Sequence, residues 1–523
     1  MDRKAVKYPI GQQSFEMLRN GGFLYVDKTM YIDKIVNGSQ YYFLGRPRRF
    51  GKSLFLSTLK AFFEGKRELF KGLYAESMEW DWEPYPVIYL DLNNQQFKDD
   101  SDFSNLDIIV DETLKVIEQR WGIVPTQKDL SARFASLIRQ VSEKSGKGVV
   151  ILVDEYDKPL VNNLNQSERF ETYRNKLAAL YSNFKSSADY IRLVFLTGVS
   201  RFGKLSVFSG LNNISDISFT RQFAGICGIS EEELTENFQE GIKALAEENE
   251  RTLEEEILEL KRWYDGYHFS KKSPDIYNPF SILQVLAYRN YSNYWISSGK
   301  PTLLAEQLKN TETDLKEVIH TICNENTLNA LDIDNISIEA LLYQTGYLTI
   351  KSYNKSFSLF HLGIPNEEVK QGFFEFLLPY YSSVTQDKVA PFIYNLVIEM
   401  RSGRVDDFMK RLQSLFAGFG HDLKFDEERN VQNAMLLIFS LVGMHVEAEV
   451  RNSDGRIDIL VRTTDYVYIM ELKYDKSAHE ALDQIERKEY ALPWAVDSRT
   501  VIEIGINYST EKRRIDDWIQ KRL

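Results

Sequence analysis

The chain has 523 residues, 43% of them hydrophobic and 27% charged, and its 64 basic and 76 acidic residues give a net charge of −12. A chain of this length is too long to fold around a single hydrophobic core, so we expect about three or four domains. The acidic balance argues against a chain that coats nucleic acid nonspecifically, although a local basic groove is compatible with it. Two cysteines, Cys227 and Cys323, and six scattered histidines exclude a disulfide framework and a thiolate zinc site.

Membrane insertion and export are not expected from the sequence. No apolar run follows the first four residues, and no stretch approaches the roughly 20 apolar residues of a membrane span. We therefore expect a cytoplasmic protein without a membrane partner.

Residues 1–228 alternate short apolar strands with amphipathic helices, which predicts an α/β domain. The clearest strands are predicted at residues 41–44, 87–92, 148–153 and 191–197. Residues 229–335 carry Glu, Leu and Ala at helical spacing, for example at 231–237 and 253–264, which predicts a helical region.

The pattern changes again at residue 336. Helix, hairpin and helix follow within about 40 residues, an order that resembles the end of a winged helix. The segments are 337–343, 347–352, 356–362 and 365–378. The first helix has one acidic residue and no Lys or Arg, so we interpret residues 336–380 as a packing or relay module instead of a DNA reader. A helical linker (381–421) and a second small α/β domain (422–523) follow.

The strongest local pattern is a phosphate-binding loop. A buried strand ending at Gly45 leads into a loop, and Gly51-Lys52-Ser53 open the helix predicted at 54–63. Glycine lets backbone N–H groups approach phosphates, Lys52 neutralises the β/γ oxygens, and the Ser53 hydroxyl holds Mg²⁺. Arg46 stands where the common pattern has glycine.

Three arginines crowd this loop, and we expect Arg46, Arg48 and Arg49 to add phosphate contacts. Seven consecutive residues are predicted to bind the nucleotide: Arg48, Arg49, Phe50, Gly51, Lys52, Ser53 and Leu54.

A second element supports the nucleotide site. The apolar run 149–153 is typical of a strand covered on both faces, and it ends in Asp154-Glu155, at the strand edge where open α/β sheets bind ligands. Asp154 is expected to hold the magnesium shell, and Glu155 to orient or deprotonate the attacking water. A surface acidic pair at a strand end is the alternative.

The third strand, 191–196, runs into Thr197-Gly198-Val199-Ser200-Arg201. At the tip of a strand next to the Asp-Glu strand, these polar groups would lie near the γ-phosphate. We expect Ser200 or Thr197 to act as a sensor and Arg201 as an arginine finger in cis or in trans. The alternative is a loop with one solvated arginine.

Several longer stretches closely resemble the bacterial AAA-ATPase-like proteins, over nearly the whole chain. They are 8–11 (YPIG), 25–29 (YVDKT), 46–53 (RPRRFGKS), 154–159 (DEYDKP), 263–267 (WYDGY), 277–280 (YNPF) and 362–369 (LGIPNEEV). The resemblance implies that an arginine-filled phosphate loop is usual and that a C-terminal nuclease-like domain is present. By analogy with related ATPases, Pro9, Ile10 and Gly11 line the adenine pocket. We interpret the aromatic residues Trp263, Tyr264, Tyr267 and Phe269 as packing.

The C-terminal domain contains a predicted hairpin, with strands at 455–461 and 466–473. If it is symmetric about Thr464-Asp465, opposed residue numbers sum to 929, so Asp458 faces Glu471. Lys473 then lies on the same face, two residues on. Like charges directly opposite destabilise a sheet, whereas paired carboxylates with a lysine suit a magnesium site.

This Asp…Glu-x-Lys arrangement resembles the core of the PD-(D/E)XK nuclease superfamily. The resemblance adds Glu428, on the preceding helix, as a further acidic residue, and Gln484 on the following helix. Asp458 and Glu471 are the expected Mg²⁺ ligands, with Mn²⁺ as a substitute. A solvated hairpin with an exposed Glu-x-Lys pair is the alternative.

Two functions remain open at this point. The first is an ATPase coupled to a magnesium-dependent nuclease that acts on DNA. The second is a switch or signalling ATPase whose nuclease-like domain only binds nucleic acid or a protein partner. The complete set Asp458, Glu471 and Lys473 favours the first, and the net charge of −12 favours the second. The sequence leaves open whether the chain forms a homo-oligomer.

Overall fold

The computed structural model describes residues 6–97, 100, 102–201, 213–299, 304–305, 307–308, 314–329, 337–416, 427–450 and 459–523. The chain divides into two compact units. The first comprises Met1–Trp295 and Thr321–Glu368, and the second comprises Ile296–His320 and Val369–Leu523. The hairpin of the predicted winged-helix-like module therefore belongs to the first unit, and the helix after it begins in the first unit and continues in the second.

The first unit is built on a parallel sheet of strand order β2-β3-β4-β1-β5. The strands are β1 (Tyr41–Gly45), β2 (Val87–Asp91), β3 (Val149–Asp154), β4 (Ile191–Gly198) and β5 (Ser215–Asp216). Every residue of β3 is buried, as expected of an apolar strand covered on both faces. Strand β4 lies between β1 and β3, so Thr197 has Leu44 beside it on one side and the end of β3 on the other. The four predicted strands are confirmed to within one residue at each end.

Helices accompany this sheet in the chain. They are α1 (Phe15–Asn20), α2 (Met30–Val36), α3 (Lys52–Phe63), α4 (Asn105–Trp121), α5 (Leu130–Ser145), α6 (Lys158–Val161) and α7 (Ser167–Ser186). Helix α5 shows why they begin and end where they do: the Asp129 side chain accepts from the Ala132 N–H at its start, and Gly146 at its end adopts φ +67°.

The helical region follows the sheet. Its helices are α8 (Glu231–Asn237), α9 (Gln239–Glu248), α10 (Leu253–Tyr264), α11 (Pro279–Tyr288) and α12 (Tyr294–Ser297). Helix α8 begins with Ser230 and Glu233, whose side chains each accept a hydrogen bond from the other residue's backbone N–H. Thr252 and Glu255 make the same pair of bonds at the start of α10. Both helices have the predicted bounds. Their apolar faces join a core that also receives Tyr8, Leu24 and Val26 from the N-terminal segment; it includes Leu234, Leu245, Leu260 and Tyr264.

The middle of the chain contains α13 (Leu315–Ile319), β6 (Ile322–Asn324), α14 (Glu325–Asn329), α15 (Ile338–Thr345), β7 (Thr349–Asn354), β8 (Leu359–Gly363) and α16 (Glu367–Leu377). Strands β6, β8 and β7 form an antiparallel sheet in that order. Six of the eight residues of α15 are buried, so this helix packs within the first unit, in agreement with the packing role expected for it.

The second unit contains a sheet of order β13-β12-β11-β10-β9. Its remaining elements are α17 (Val389–Arg401), α18 (Val405–Phe416), α19 (Glu427–Val442), β9 (Glu447–Val450), β10 (Ile459–Arg462), β11 (Tyr466–Tyr474), α20 (Ala478–Arg487), β12 (Thr500–Ser509) and β13 (Arg514–Arg522). Strands β11 and β12 are parallel, and the other neighbours are antiparallel. Ile459 pairs with Met470, which confirms the predicted hairpin register. Strands β9 and β13 were not predicted from the sequence.

None of the helices within the described ranges is both long enough and apolar enough to span a membrane.

Candidate nucleotide-binding and nuclease-like sites

The phosphate loop joins the end of β1 to the start of α3. Gly51 immediately before the helix adopts φ +98°, a conformation that favours glycine. Lys52 is 5% exposed, and its Nζ donates to the carbonyls of Arg46 (2.9 Å) and Pro47 (3.1 Å). The loop therefore places a buried ammonium group at the N-terminus of a helix, an arrangement that favours phosphate binding.

Arg46 has a structural role in the loop. The guanidinium donates to the carbonyls of Gly45 and Ser218 (both 2.8 Å) and Phe223 (3.1 Å), and it lies 4.2 Å from the centre of the Phe269 ring. Burial lowers the pKa of Arg46 to about 10. Where the sequence suggested a phosphate contact, the structure shows an anchor that holds residues 218–223 against the loop.

The other two loop arginines also lie over aromatic rings. Arg48 is 4.9 Å from the centre of the Trp295 ring, and its Nη2 donates to the Tyr347 hydroxyl (3.4 Å). Arg49, which is exposed, is 5.1 Å from the centre of the Phe280 ring. Arginine stacked on aromatic faces stabilises packing without giving up its charge. The predicted contacts of Arg48 and Arg49 with a nucleotide remain predictions.

The aromatic residues of 263–269 pack as expected. The Phe50 ring meets the rings of Tyr267 (4.8 Å between centres) and Phe269 (5.4 Å) edge to face. Tyr264 is fully buried in the core of the helical region. These rings hold the helical region against the phosphate loop.

An apolar cleft opens beside the loop. Four predicted nucleotide contacts line it: Pro9, Phe50, Gly51 and Leu54. Ile10 and Gly11 follow Pro9 in a turn, which is closed by a hydrogen bond from the Gln12 N–H to the Pro9 carbonyl (3.1 Å). Other lining residues were not predicted from the sequence, among them Leu24, Val26, Lys28, Cys227, Phe238 and Leu283. Its apolar walls beside a phosphate site suit a nucleoside base.

Lys28, one of the lining residues, bonds to the first helix of the helical region. Its Nζ donates to both carboxylate oxygens of Glu233 (2.6 Å each) and to the Gly225 carbonyl (2.8 Å). Burial lowers the pKa of Lys28, and Glu233 opposes that shift. The signal in the sequence was a lysine within the short segment Tyr25-Val26-Asp27-Lys28-Thr29.

The carboxylates at the end of β3 are held in place by β4 and β2. Asp154 is 3% exposed and accepts from the Thr197 hydroxyl (2.6 Å) and the Tyr89 hydroxyl (3.4 Å). Glu155 is half-buried and adopts φ +51°, a constrained conformation for a non-glycine residue. The alternative interpretation, an acidic pair on the surface, does not fit Asp154, because this carboxylate is buried and accepts two hydrogen bonds.

Hydrogen bonds connect two segments at this edge of the sheet. We call residues 154–157 the carboxylate turn and residues 197–201 the strand tip. Asp157 accepts from the backbone N–H groups of Val199 (3.1 Å) and Ser200 (2.5 Å), and the Tyr156 hydroxyl donates to the Ser200 carbonyl (2.9 Å). Burial raises the pKa of Asp157 to about 6. The Ser200 hydroxyl is buried and bonds to no group in the described part of the chain, as suits a residue that meets a ligand.

Arg201 is buried in this structure. Its guanidinium lies 3.7 Å from the centre of the Phe219 ring and 3.6 Å from an Asp216 oxygen, and its backbone N–H donates to Gln344 Oε1 (2.8 Å). Burial lowers the pKa of Arg201, and Asp216 opposes that shift. The alternative interpretation of Arg201 as a solvated loop residue is therefore wrong. Its role as an arginine finger remains a prediction.

The expected Mg²⁺ ligands at this site have suitable chemistry. Ser53 offers a half-buried hydroxyl in the first turn of α3, and Asp154 offers a carboxylate at the end of β3. Mg²⁺ prefers such oxygen ligands and keeps several waters beside substrate phosphates.

In the second unit, the structure brings Glu471, Lys473 and Gln484 together. Glu471 is 2% exposed and accepts from Lys473 Nζ (3.0 Å) and from Gln484 Nε2. The alternative of an exposed Glu-x-Lys pair is wrong, because the carboxylate is buried under α20.

Gly505 makes this convergence possible. It pairs with Glu471 across β11 and β12, and a Cβ atom at 505 would lie 2.1 Å from the Ala478 carbonyl oxygen. Without that atom, α20 approaches the sheet closely enough for Gln484 to reach Glu471.

Two further residues, Glu428 and Asp458, were predicted for the nuclease-like site. Glu428 lies in the first turn of α19 with an exposed side chain, and its backbone carbonyl accepts from the Tyr474 hydroxyl (3.4 Å). Asp458 lies outside the described residues. Within the described ranges, no three His, Cys, Asp or Glu side chains are grouped to hold a metal ion, so the predicted pair of Asp458 and Glu471 remains a prediction.

Comparison with known proteins identifies the families of the two domains that contain these residues. Residues 9–208 match the family model of AAA-ATPase-like proteins, described as "Predicted AAA-ATPase", and residues 426–518 match the PD-(D/E)XK nuclease superfamily. The chain belongs to the AAA-ATPase-like family and carries a C-terminal domain of the PD-(D/E)XK nuclease superfamily. A relative from Azotobacter chroococcum mcd 1, named "Uncharacterized protein in vnfD 5'region", is 34% identical over 542 residues, an alignment that covers 100% of both chains.

Proposed function

We propose that this protein is an ATP hydrolase whose nucleotide site controls a magnesium-dependent nuclease acting on DNA. The observation that carries the first part is the position of Thr197. It lies beside the end of the phosphate-loop strand and donates to Asp154 across β4 and β3. The loop lysine and the buried carboxylate are thus at one edge of one sheet, where ligands of parallel sheets bind.

In the ATP site, Lys52 exchanges its two loop carbonyls for phosphate oxygens, and the apolar cleft takes the adenine. Mg²⁺ held through Ser53 and Asp154 supplies charge neutralisation at the phosphates. Glu155 orients the attacking water, and the buried Ser200 hydroxyl contacts the γ-phosphate. Arg201 acts on the same phosphate once it leaves Phe219.

In the nuclease site, Glu471 and Asp458 hold Mg²⁺, for which Mn²⁺ substitutes. The metal supplies an activated water and charge stabilisation at the phosphodiester. Lys473 lies 3.0 Å from Glu471 and stabilises the developing negative charge, while Gln484 orients the Glu471 carboxylate and Glu428 provides a further acidic group at the start of α19. With ATP and DNA as substrates, we place the activity in the cytoplasm.

One observation favours a second candidate, a switch ATPase whose nuclease-like domain only binds nucleic acid or a protein. The net charge of −12 opposes tight, nonspecific binding of the DNA backbone. Because this charge is summed over the chain, it does not describe the surface around Glu471, so we retain the nuclease as the primary proposal.

DNA cleavage by the purified full chain distinguishes the two. DNA is incubated with Mg²⁺ or Mn²⁺, and with ATP, a nonhydrolysable analogue or no nucleotide. We expect metal-dependent cleavage that responds to ATP and is abolished by Lys473→Ala and by Asp458→Ala. Lys512→Ala, at an exposed lysine paired with Asp516, is the control that retains cleavage. DNA binding without cleavage under every condition would support the switch ATPase, and cleavage that survives Lys473→Ala would contradict the assigned site.

A further inference from the structure

The end of helix α15 and the residues after it contact both halves of the ATP site. We call Tyr343–Tyr347 the bridging segment. It lies more than 140 residues after the strand tip in the chain, and none of its residues belongs to a nucleotide-binding motif. Gly346 within it adopts φ +92°, which lets the chain turn sharply from α15 toward β7.

On one side, the bridging segment packs on the phosphate loop. A Cβ atom at Gly346 would lie 2.8 Å from Pro47 Cβ, so the Gly346 backbone packs directly against the Pro47 ring. The Tyr347 hydroxyl accepts from Arg48. Because the Pro47 carbonyl is one of the two acceptors of Lys52, this contact bears directly on the lysine that would bind phosphate.

On the other side, the bridging segment holds the strand tip. Gln344 is 5% exposed; its Oε1 accepts from the Arg201 N–H (2.8 Å), and its Nε2 donates to the Leu328 carbonyl (2.7 Å). The Tyr343 ring stacks on Phe219 at 5.6 Å between centres and 12° between planes, and Phe219 carries the Arg201 guanidinium. Helix α15 therefore fixes Arg201 through its backbone and through its side chain.

We infer that Gln344 is a positioning residue for ATP hydrolysis, an inference that rests on the proposed function. It acts through the Arg201 N–H and sets the strand tip at a fixed distance from the phosphate loop. The strand tip in turn holds the carboxylate turn, since Thr197 bonds to Asp154 and Ser200 bonds to Asp157. Gln344 thus controls the placement of the groups around the γ-phosphate without touching the nucleotide.

The same contacts make α15 responsive to the nucleotide. A γ-phosphate that draws Ser200 or Arg201 toward it strains the bond to Gln344, and a phosphate that displaces Lys52 from the Pro47 carbonyl changes the contact at Gly346. Both changes reach one helix, which leads through β7 and β8 to the end of the first unit.

The test uses Gln344→Met, which keeps the length of the side chain and removes both hydrogen bonds, and Gln344→Glu, which keeps an acceptor for the Arg201 N–H. The control is Thr345→Val, because the Thr345 hydroxyl donates within its own helix to the Leu341 carbonyl (2.5 Å). ATP affinity is measured by equilibrium binding and kcat by phosphate release. Hydrogen exchange of residues 197–201 is followed with a nonhydrolysable ATP analogue bound.

We expect Gln344→Met to lower kcat by about 10- to 100-fold, because a displacement of about 1 Å in a site costs that much, while the Kd for ATP changes less than about twofold. Gln344→Glu retains more of kcat than Gln344→Met, and Thr345→Val matches the unsubstituted protein. Exchange at the strand tip accelerates in Gln344→Met alone.

A kcat within twofold of the unsubstituted protein in Gln344→Met, or an equal loss of affinity and kcat, overturns the positioning role. Absence of ATP turnover in the unsubstituted protein overturns the proposed hydrolysis, and this inference with it.

Discussion

Arg46 occupies the position where the common phosphate-loop pattern has glycine. Its guanidinium donates hydrogen bonds to backbone carbonyls of the protein itself. The guanidinium bonds to carbonyls of Ser218 and Phe223, residues 172 and 177 positions away in the chain. Within the part of the chain that the structure describes, Arg46 forms no ion pair, and carbonyl oxygens and the Phe269 ring replace its hydration.

Substitution of Arg46 should therefore affect stability before it affects phosphate binding. Arg46→Ala leaves the Ser218 and Phe223 carbonyls without their donor, and we expect it to lower the free energy of unfolding by about 3 kcal/mol. Arg49→Ala removes an exposed group that stacks on Phe280 and should cost less than about 1 kcal/mol. Scanning calorimetry of the full chain measures both. A stable Arg46→Ala protein with weakened ATP affinity would show that Arg46 contacts phosphate instead.

The residues with strong local patterns could be predicted, and those defined by distant partners could not. Lys52 and Asp154 follow from short motifs at the ends of apolar strands, and Glu471 and Lys473 follow from the symmetry of a tight hairpin. Gln344 and Lys28 were missed because their roles depend on Arg201 and Glu233, which lie 143 and 205 residues away in the chain.

At the scale of elements, the approach of α20 to β12 decides whether the nuclease-like site forms. Gly505 lies under the first turns of α20, where a Cβ atom would be 2.6 Å from the Leu482 nitrogen as well as 2.1 Å from the Ala478 oxygen. Both atoms are backbone, so a side chain at 505 can be accommodated only if the helix moves.

Gly505→Ala should thus displace α20 and separate Gln484 from Glu471. We expect a loss of roughly 2 kcal/mol in stability, as is typical of overpacking, together with loss of metal-dependent DNA cleavage. Gly443→Ala is the comparison in the same unit, because its Cβ would come no closer than 3.1 Å to a neighbour. Calorimetry and the cleavage assay provide the two measurements, and an active, fully stable Gly505→Ala protein would contradict this packing argument.

The elements themselves were predicted where one pattern dominates. Helices α8 and α10 have capping residues and apolar periodicity, and both were predicted to the residue. Strand β13 was missed because its sequence, Arg514–Arg522, is rich in charge, as suits the edge of a sheet, where charged side chains discourage pairing with other chains. The pairing of β4 with β3 was expected, but the neighbours of β1 were not, since β1 pairs with β4 and β5 instead of with its sequence neighbour β2.

At the scale of the whole molecule, the phosphate loop is bonded to the residue where the chain leaves the first unit. The Trp295 indole donates to the Arg48 carbonyl (3.0 Å), and the Trp295 backbone N–H donates to Glu368 (2.7 Å), the last residue before the chain leaves that unit again. Hydrogen bonds thus connect the loop, through Trp295, to residues at two of the points where the chain passes between units. This is the physical basis on which we propose that ATP controls the nuclease.

The central claim is that Lys52 binds the phosphates of ATP. Equilibrium binding of ATP to the full chain in the presence of Mg²⁺ tests it directly, with Lys52→Ala and Glu155→Gln as variants. We expect Lys52→Ala to weaken binding at least about 100-fold, or roughly 2.7 kcal/mol, and Glu155→Gln to keep its affinity while hydrolysis slows. Unchanged ATP affinity in a folded Lys52→Ala protein would contradict the account.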